Sequence, residues 1–265
     1  MGALLEPRSA ADKWIISRFN RVAIAVGSAL DKYQFHEAVQ ILYHFFWDDF
    51  CDWYIELVKD EITGEAENEE TSILRCRIMT ILEQSLRLLH PFMPYLTEEI
   101  WEKLPGVGHL HNEAYRNAPA SIMLSDYPKG NEQLIDERAE AEMQLVIELI
   151  KRIRNIRSEM NIKPGQRIPV FVIASDGQEQ IFKANEAPIL KLARAASLTV
   201  GRDFELPRAS AKAVLAGGSE VVVPLEGLID FTKERERLKT QLTKLENELT
   251  RISAQLENEN FVLRA

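Results

Sequence analysis

Apolar residues return every three or four positions through the first hundred residues, the period that lines one face of an α-helix. Trp14, Ile15, Phe19, Val22, Ile24 and Val26 predict a first helix opened by Asp12. The pattern breaks near 31–35 and resumes in FHEAVQILYHFFWDDFCDWYIELVK (35–59). There Ala38, Leu42, Phe45, Phe46, Phe50, Trp53, Tyr54 and Leu57 cover so wide an arc that this helix is expected to lie between others. A loop at Gly64 precedes a third helix over 72–89, carrying Ile73, Ile78, Ile81, Leu82, Leu86 and Leu89. Pro91 and Pro94 interrupt it. A restart is expected with Thr97 as N-cap, Glu98 and Glu99 in the first turn and Trp101 on the buried face. The expected arrangement is an antiparallel helix bundle.

Residues 106–130 lack a period and read as a surface connection. A long helix is expected over 132–160, after which the period changes. RIPVFVIA (167–174) is a β-rich run, NEAPILKLARAA (185–196) a short helix and SLTVG (197–201) a strand. AKAVLAGGSEVVVPLEG (211–227) reads as two strands joined through Gly217 and Gly218. From 229 onward Leu242, Leu249 and Leu256 fall seven apart, as do Phe231, Leu238, Leu245 and Ile252, giving a two-position heptad seam. Such a seam needs a cover, from another subunit or from a second helix of the same chain. Asn258 and Asn260 are turn formers, placed where a helical hairpin would reverse. The expected fold is mainly α: a helical bundle over 1–130, a small α/β module over 131–228 and a coiled-coil helix over 229–265.

Composition changes this picture in two ways. With 265 residues, 46% of them apolar, the chain can build more than one module, and 28% charged residues favour a soluble protein. No apolar run approaches the roughly 18 residues that a membrane span requires, nor is there a signal segment, so no membrane partner and a cytoplasmic location are expected. Two cysteines, Cys51 and Cys76, without CxxC spacing, argue against a disulfide framework and against a zinc site. The net charge of −9 speaks against indiscriminate nucleic-acid binding. That sum hides a segregation: 48–70 is heavily acidic, whereas Lys151, Arg152, Arg154, Arg157, Lys163 and Arg167 face only Glu159.

Five stretches in order, DKWIISRFN (12–20), 35–59, LLHPFMPYLTEEIWEKL (88–104), IRNIRSEMNIKPGQRIPV (153–170) and the terminal NENFVLRA (258–265), resemble the C-terminal part of valyl-tRNA synthetases. The PFMPYLTEE block is shared with the isoleucine and leucine enzymes, so it gives only the subclass. The resemblance implies an anticodon-binding bundle, then a two-helix arm whose returning helix follows the Asn-Phe-Val turn. The sequence is therefore expected to be a truncated piece of such an enzyme. No His-x-Gly-His and no Lys-Met-Ser-Lys-Ser motif occurs, so no catalytic residue, cofactor or metal is expected in it. ATP and Mg²⁺ would serve the parent ligase, whose catalytic domain is an implied partner together with tRNA. One alternative is the same region of an isoleucyl enzyme. Another is a coiled-coil interaction protein that binds no RNA.

The RNA chemistry implied is stacking of splayed bases on aromatics, with Arg and Lys on base edges and phosphate. Arg18 and Arg21, flanking Phe19, and Lys103 are candidates in the bundle, with a solvated surface charge as the competing account. The aromatics of 45–54 fit a core better than a binding platform. Lys151, Arg154 and Arg157 stand three apart and are expected along one side of a helix, with Arg152 beside them and Lys163 and Arg167 beyond its end. A solubilising face is the plainer reading of that group. The unpaired heptad helix also allows self-association.

Overall fold

The computed structural model describes residues 7–63, 68–105, 121–228 and 231–257. Gly64, the first part of the 106–130 connection and the terminal stretch with Asn258 and Asn260 lie outside these. The chain divides into two compact units, Met1–Ile150 and Lys151–Ala265.

The first unit is the helical bundle. Helix α1, Ala10–Asp31, is capped by Ser9, with Asp12 closing a capping box from the third turn position. Asp12 is thus not the opener expected from the sequence. It sits one turn inside, because its carboxylate is committed to the backbone N–H groups of Arg8 and Ser9 at 3.1 Å. Helix α2, Phe35–Tyr43, widens into a π-helical stretch, His44–Ile55, before continuing as α3, Glu56–Thr63. The i to i+5 winding rotates successive residues off the α period. Phe45 and Phe50, five apart, are both buried, as are Trp53 and Tyr54. The wide arc seen in the sequence therefore comes partly from a change of winding, and Trp47 remains exposed.

Helix α4, Glu69–Leu89, begins under an Asn68 cap, three residues before the expected start. Helix α5, Pro94–Glu102, starts with Pro94 in its first turn, where a missing N–H costs nothing. Thr97 is consequently inside the helix rather than at its cap; it is buried, and its hydroxyl donates to Met93 O at 2.9 Å. The connection after it is not wholly superficial. Ile122 opens a 3-10 turn, Ile122–Leu124, and packs with Leu86, Trp101 and Leu104, while Glu98 accepts from its N–H.

Helix α6, Glu137–Glu159, starts later than expected, since Glu132–Leu134 is a separate 3-10 turn. Its apolar stripe, with Met143, Val146, Ile150, Ile153 and Ile156, is buried. The division between units falls inside α6, beyond residue 130, where the sequence reading puts it. The reason is Glu140, which accepts from Ser17 (2.5 Å) and Arg21 (3.1 Å) and so binds the front of α6 to α1.

The second unit is a four-stranded mixed sheet in the order β2-β1-β4-β3. Strand β1, Ile168–Ile173, is central and alternates buried with half-buried residues. Helices α7, Glu179–Ala184, and α8, Glu186–Leu192, form the crossover to the parallel strand β2, Ala195–Gly201. Strands β3, Ser210–Val214, and β4, Glu220–Pro224, make the expected hairpin, with Gly217 and Gly218 at φ 80° and 88°. Helix α9, Phe231–Glu257, follows.

Candidate nucleic-acid interface

The structure separates the predicted cations into three groups. In the bundle, Arg18 meets Asp49 at 2.9 Å and Glu140 at 3.7 Å, and Arg21 meets Glu140 and Glu137. Both guanidiniums are held by carboxylates that the helical period alone does not bring near. Lys103 is paired with Glu99, one turn earlier on α5, and that neighbour raises its pKa. These three do not form a shared basic surface.

The expected side of Lys151, Arg154 and Arg157 is likewise divided. Arg157 is buried at 8% exposure, and its guanidinium donates to Arg194 O, Lys163 O and Pro164 O at 3.3, 3.1 and 3.4 Å. Burial, then the Arg194 charge, lowers its pKa from the ordinary arginine value. It clamps the loop after α6 from a buried position. Arg157 does not share an exposed side with Lys151 and Arg154 as the spacing suggested, because the chain folds its carbonyls back over the helix end. Arg154 donates to Leu192 O at 2.9 Å, at the C-terminus of α8, where the helix dipole favours a cation.

Arg154 is nevertheless exposed, as are Lys151 and Arg152 beside it on the last turns of α6 and Lys163 and Arg167 on the loop held by Arg157. The structure adds Arg194, which lies outside the basic run of 151–167. Arg194 adopts a left-handed conformation, φ 53°, just past the end of α8, and its exposed guanidinium donates to Pro164 O at 2.7 Å. The only signal in the sequence was its position after a short helix, where glycine usually stands. Two loops distant in sequence thus bring Lys163, Arg167 and Arg194 to one region.

Among the described residues no group of three or more His, Cys, Asp or Glu is arranged to hold a metal ion. No described helix is long and apolar enough to cross a membrane.

The family described as the anticodon-binding domain of tRNA ligase matches residues 12–172, more than half of the chain. The chain belongs to that family. The match spans the bundle and runs through α6 into β1. Valine–tRNA ligases are similar over nearly its whole length. That of Geobacter sulfurreducens is 41% identical over 97% of the chain, that of Thermosynechococcus vestitus 40% over 100%, and that of Bacillus subtilis 39% over 97%. The chain spans 28% of the length of each of these relatives. Its helical bundle and small mixed sheet are the architecture expected from the sequence.

Proposed function

We propose that this chain is the tRNA-recognition part of a valine–tRNA ligase, and that it positions tRNA for chemistry carried out elsewhere in the enzyme. The observation that carries the reading is the roughly 40% identity to valine–tRNA ligases along the whole chain, joined to an anticodon-binding family match. The parent would join valine to its tRNA using ATP and Mg²⁺, in the cytoplasm. Neither phosphate-handling motif occurs in this sequence, so the chain by itself carries no activation chemistry and no cofactor. An isoleucyl parent is disfavoured by the identity of the relatives.

The exposed cations Lys151, Arg152, Arg154, Lys163, Arg167 and Arg194 would follow an RNA backbone, since phosphate contacts are made by solvent-facing positive charge. Titration of valine tRNA against the chain at several salt concentrations tests this. Binding should weaken with salt, and Lys163→Ala with Arg167→Ala should lower the log–log slope by about 0.7–0.9 per lost contact. Unchanged slopes would assign these residues to solubility alone. Valine-dependent ATP–pyrophosphate exchange by the pure chain would overturn the division of labour.

The heptad seam supports a further reading, self-association. Leu238, Leu242, Leu245, Leu249 and Ile252 are 42–66% exposed on α9. The first half of α9 carries Lys233, Arg235, Arg237, Lys239 and Lys244 against Glu234 and Glu236, net +3. The second half carries Glu246, Glu248 and Glu257 against Arg251, net −2. An antiparallel copy would set opposite charges together.

A further inference from the structure

Large apolar side chains are exposed at one end of the bundle. Helices α1 and α4 run in the same direction, because Arg8 pairs with Glu70 (3.5 Å) and, further along both, Asp12 pairs with Arg77 (2.6 Å). Further still, the Tyr127 hydroxyl donates to Leu88 O, and Gly130 lies against Ile24. The turns that close α1 and α4 therefore lie at the same end. The first presents Tyr33 (80% exposed) and Phe35 (55%), their rings edge to face at 6.3 Å. The second presents Met93 (42%), Tyr95 (91%) and Leu96 (54%). At the opposite end, among the described residues of 60–63 and 68–72, no large apolar side chain is exposed to this degree. Soluble monomers rarely leave such groups clustered unless something covers them.

Charge discriminates between the possible covers. An RNA platform needs cations beside its aromatics to hold the backbone. Residues 31–48 instead carry Asp31, Glu37 and Asp48 against Lys32, and 90–103 carry Glu98, Glu99 and Glu102 against Lys103, which is paired with Glu99. A second copy would bring two net-acidic rims together, and like charge disfavours that contact. A polypeptide surface with an apolar centre and a neutral or basic rim meets neither objection. The relatives carry such a supply, since this chain matches only 28% of their length.

We propose that Tyr33, Phe35, Met93, Tyr95 and Leu96 form the surface on which the remainder of the ligase polypeptide docks. The inference rests on reading the chain as one part of a larger ligase. This end of the bundle then faces the protein, leaving RNA contacts to be made elsewhere on the chain.

Hydroxyl-radical footprinting tests it on the free chain and on a chimaera in which this chain replaces the matching part of the Geobacter sulfurreducens enzyme. Oxidation at Tyr33, Met93 and Tyr95 should fall severalfold in the chimaera, while the exposed Val214 serves as reference. The free chain should show no such protection on adding tRNA or on raising its concentration. Unprotected residues in a cooperatively folding chimaera would overturn the proposal. Protection of the free chain by tRNA would overturn it in favour of RNA, and protection by concentration in favour of a second copy. Should the chimaera not fold, the intact Geobacter enzyme against its own matching fragment gives the same comparison at the aligned positions. Salt-dependent tRNA binding by the free chain is read separately. Its failure alone would remove the RNA-binding reading and leave the docking surface standing.

Discussion

The Arg77 guanidinium meets the Asp12 carboxylate at 2.6 Å, with side-chain exposures of 1% and 4%. The other Asp12 oxygen accepts from the Tyr54 hydroxyl at 2.8 Å, so three helical segments converge on one carboxylate. Removing Arg77 leaves the Asp12 carboxylate buried without its counter-charge, held only by the Tyr54 hydroxyl and the Arg8 and Ser9 N–H groups. Arg77→Ala should therefore destabilise the chain by roughly 3–5 kcal/mol. Denaturant unfolding measures this, and a loss below about 1 kcal/mol would place the pair among those of little net worth.

A glycine is demanded where 121–136 returns to the bundle. A Cβ on Gly130 would lie 2.3 Å from Asn20 O and 2.5 Å from the Ile24 side chain. Backbone does not yield as a flexible side chain does, so Gly130→Ala should cost about 1–3 kcal/mol. Gly165→Ala, with nothing within 4 Å of the added carbon, is the control and should be near neutral. Thermal unfolding of both separates packing from a general effect of losing glycine.

Arg157 and the exposed cations should respond in opposite ways. Arg157→Ala is expected to lower stability, since it releases the carbonyls of Lys163, Pro164 and Arg194. Lys163→Ala and Arg167→Ala should leave unfolding unchanged and weaken RNA binding. A melting curve beside a binding titration distinguishes them. Full stability in the Arg157 variant would remove its role as a clamp.

The Arg18–Asp49 pair makes stability depend on pH in a defined sense. Burial holds the Asp49 carboxyl above its ordinary value, although Arg18 pulls it down. The folded chain thus keeps that proton to higher pH than the unfolded chain. Its contribution is fully present below the ordinary aspartate value and is lost as pH rises through the folded one. Arg18→Ala removes the restraining charge, raises the folded value further and deepens the loss at neutral pH. The variant should be weakened at pH 7 and much less so near pH 3. Equal losses at both would assign Arg18 to packing.

For α9, burying a leucine contributes about 1.5–3 kcal/mol, which favours pairing of the exposed seam. Sedimentation should show a concentration-dependent dimer, and Leu242→Lys with Leu249→Lys should abolish it. A monomer at high concentration with α9 helical by circular dichroism would exclude the pairing.

Most of the architecture was legible because helical period and strand alternation are local. The heptads of α9, the hairpin at Gly217 and the burial of Val146, Ile150 and Ile153 all follow from spacing. The departures arise where a distant group intervenes. Asp12 looks like a cap until Arg77 arrives from 65 positions away and Ser9 takes the cap. Arg18 and Arg21 look available because Glu140 is more than a hundred residues distant. Arg157 shares its spacing with Lys151, and only the fold of 163–164 buries it. Charge at a given residue is local information; its availability is tertiary.

Helix α9 also has a mechanical consequence. Its 27 residues extend about 40 Å at 1.5 Å per residue. Near its base Arg237 donates to Glu159 O, the last residue of α6, at 3.4 Å. Beyond Arg237 every residue to Ile252 is exposed, over about 22 Å by the same rise. A partner seizing the far end therefore acts with leverage on the base, and a modest push at the tip becomes torque on the end of α6, beside the loop that carries Lys163 and Arg167.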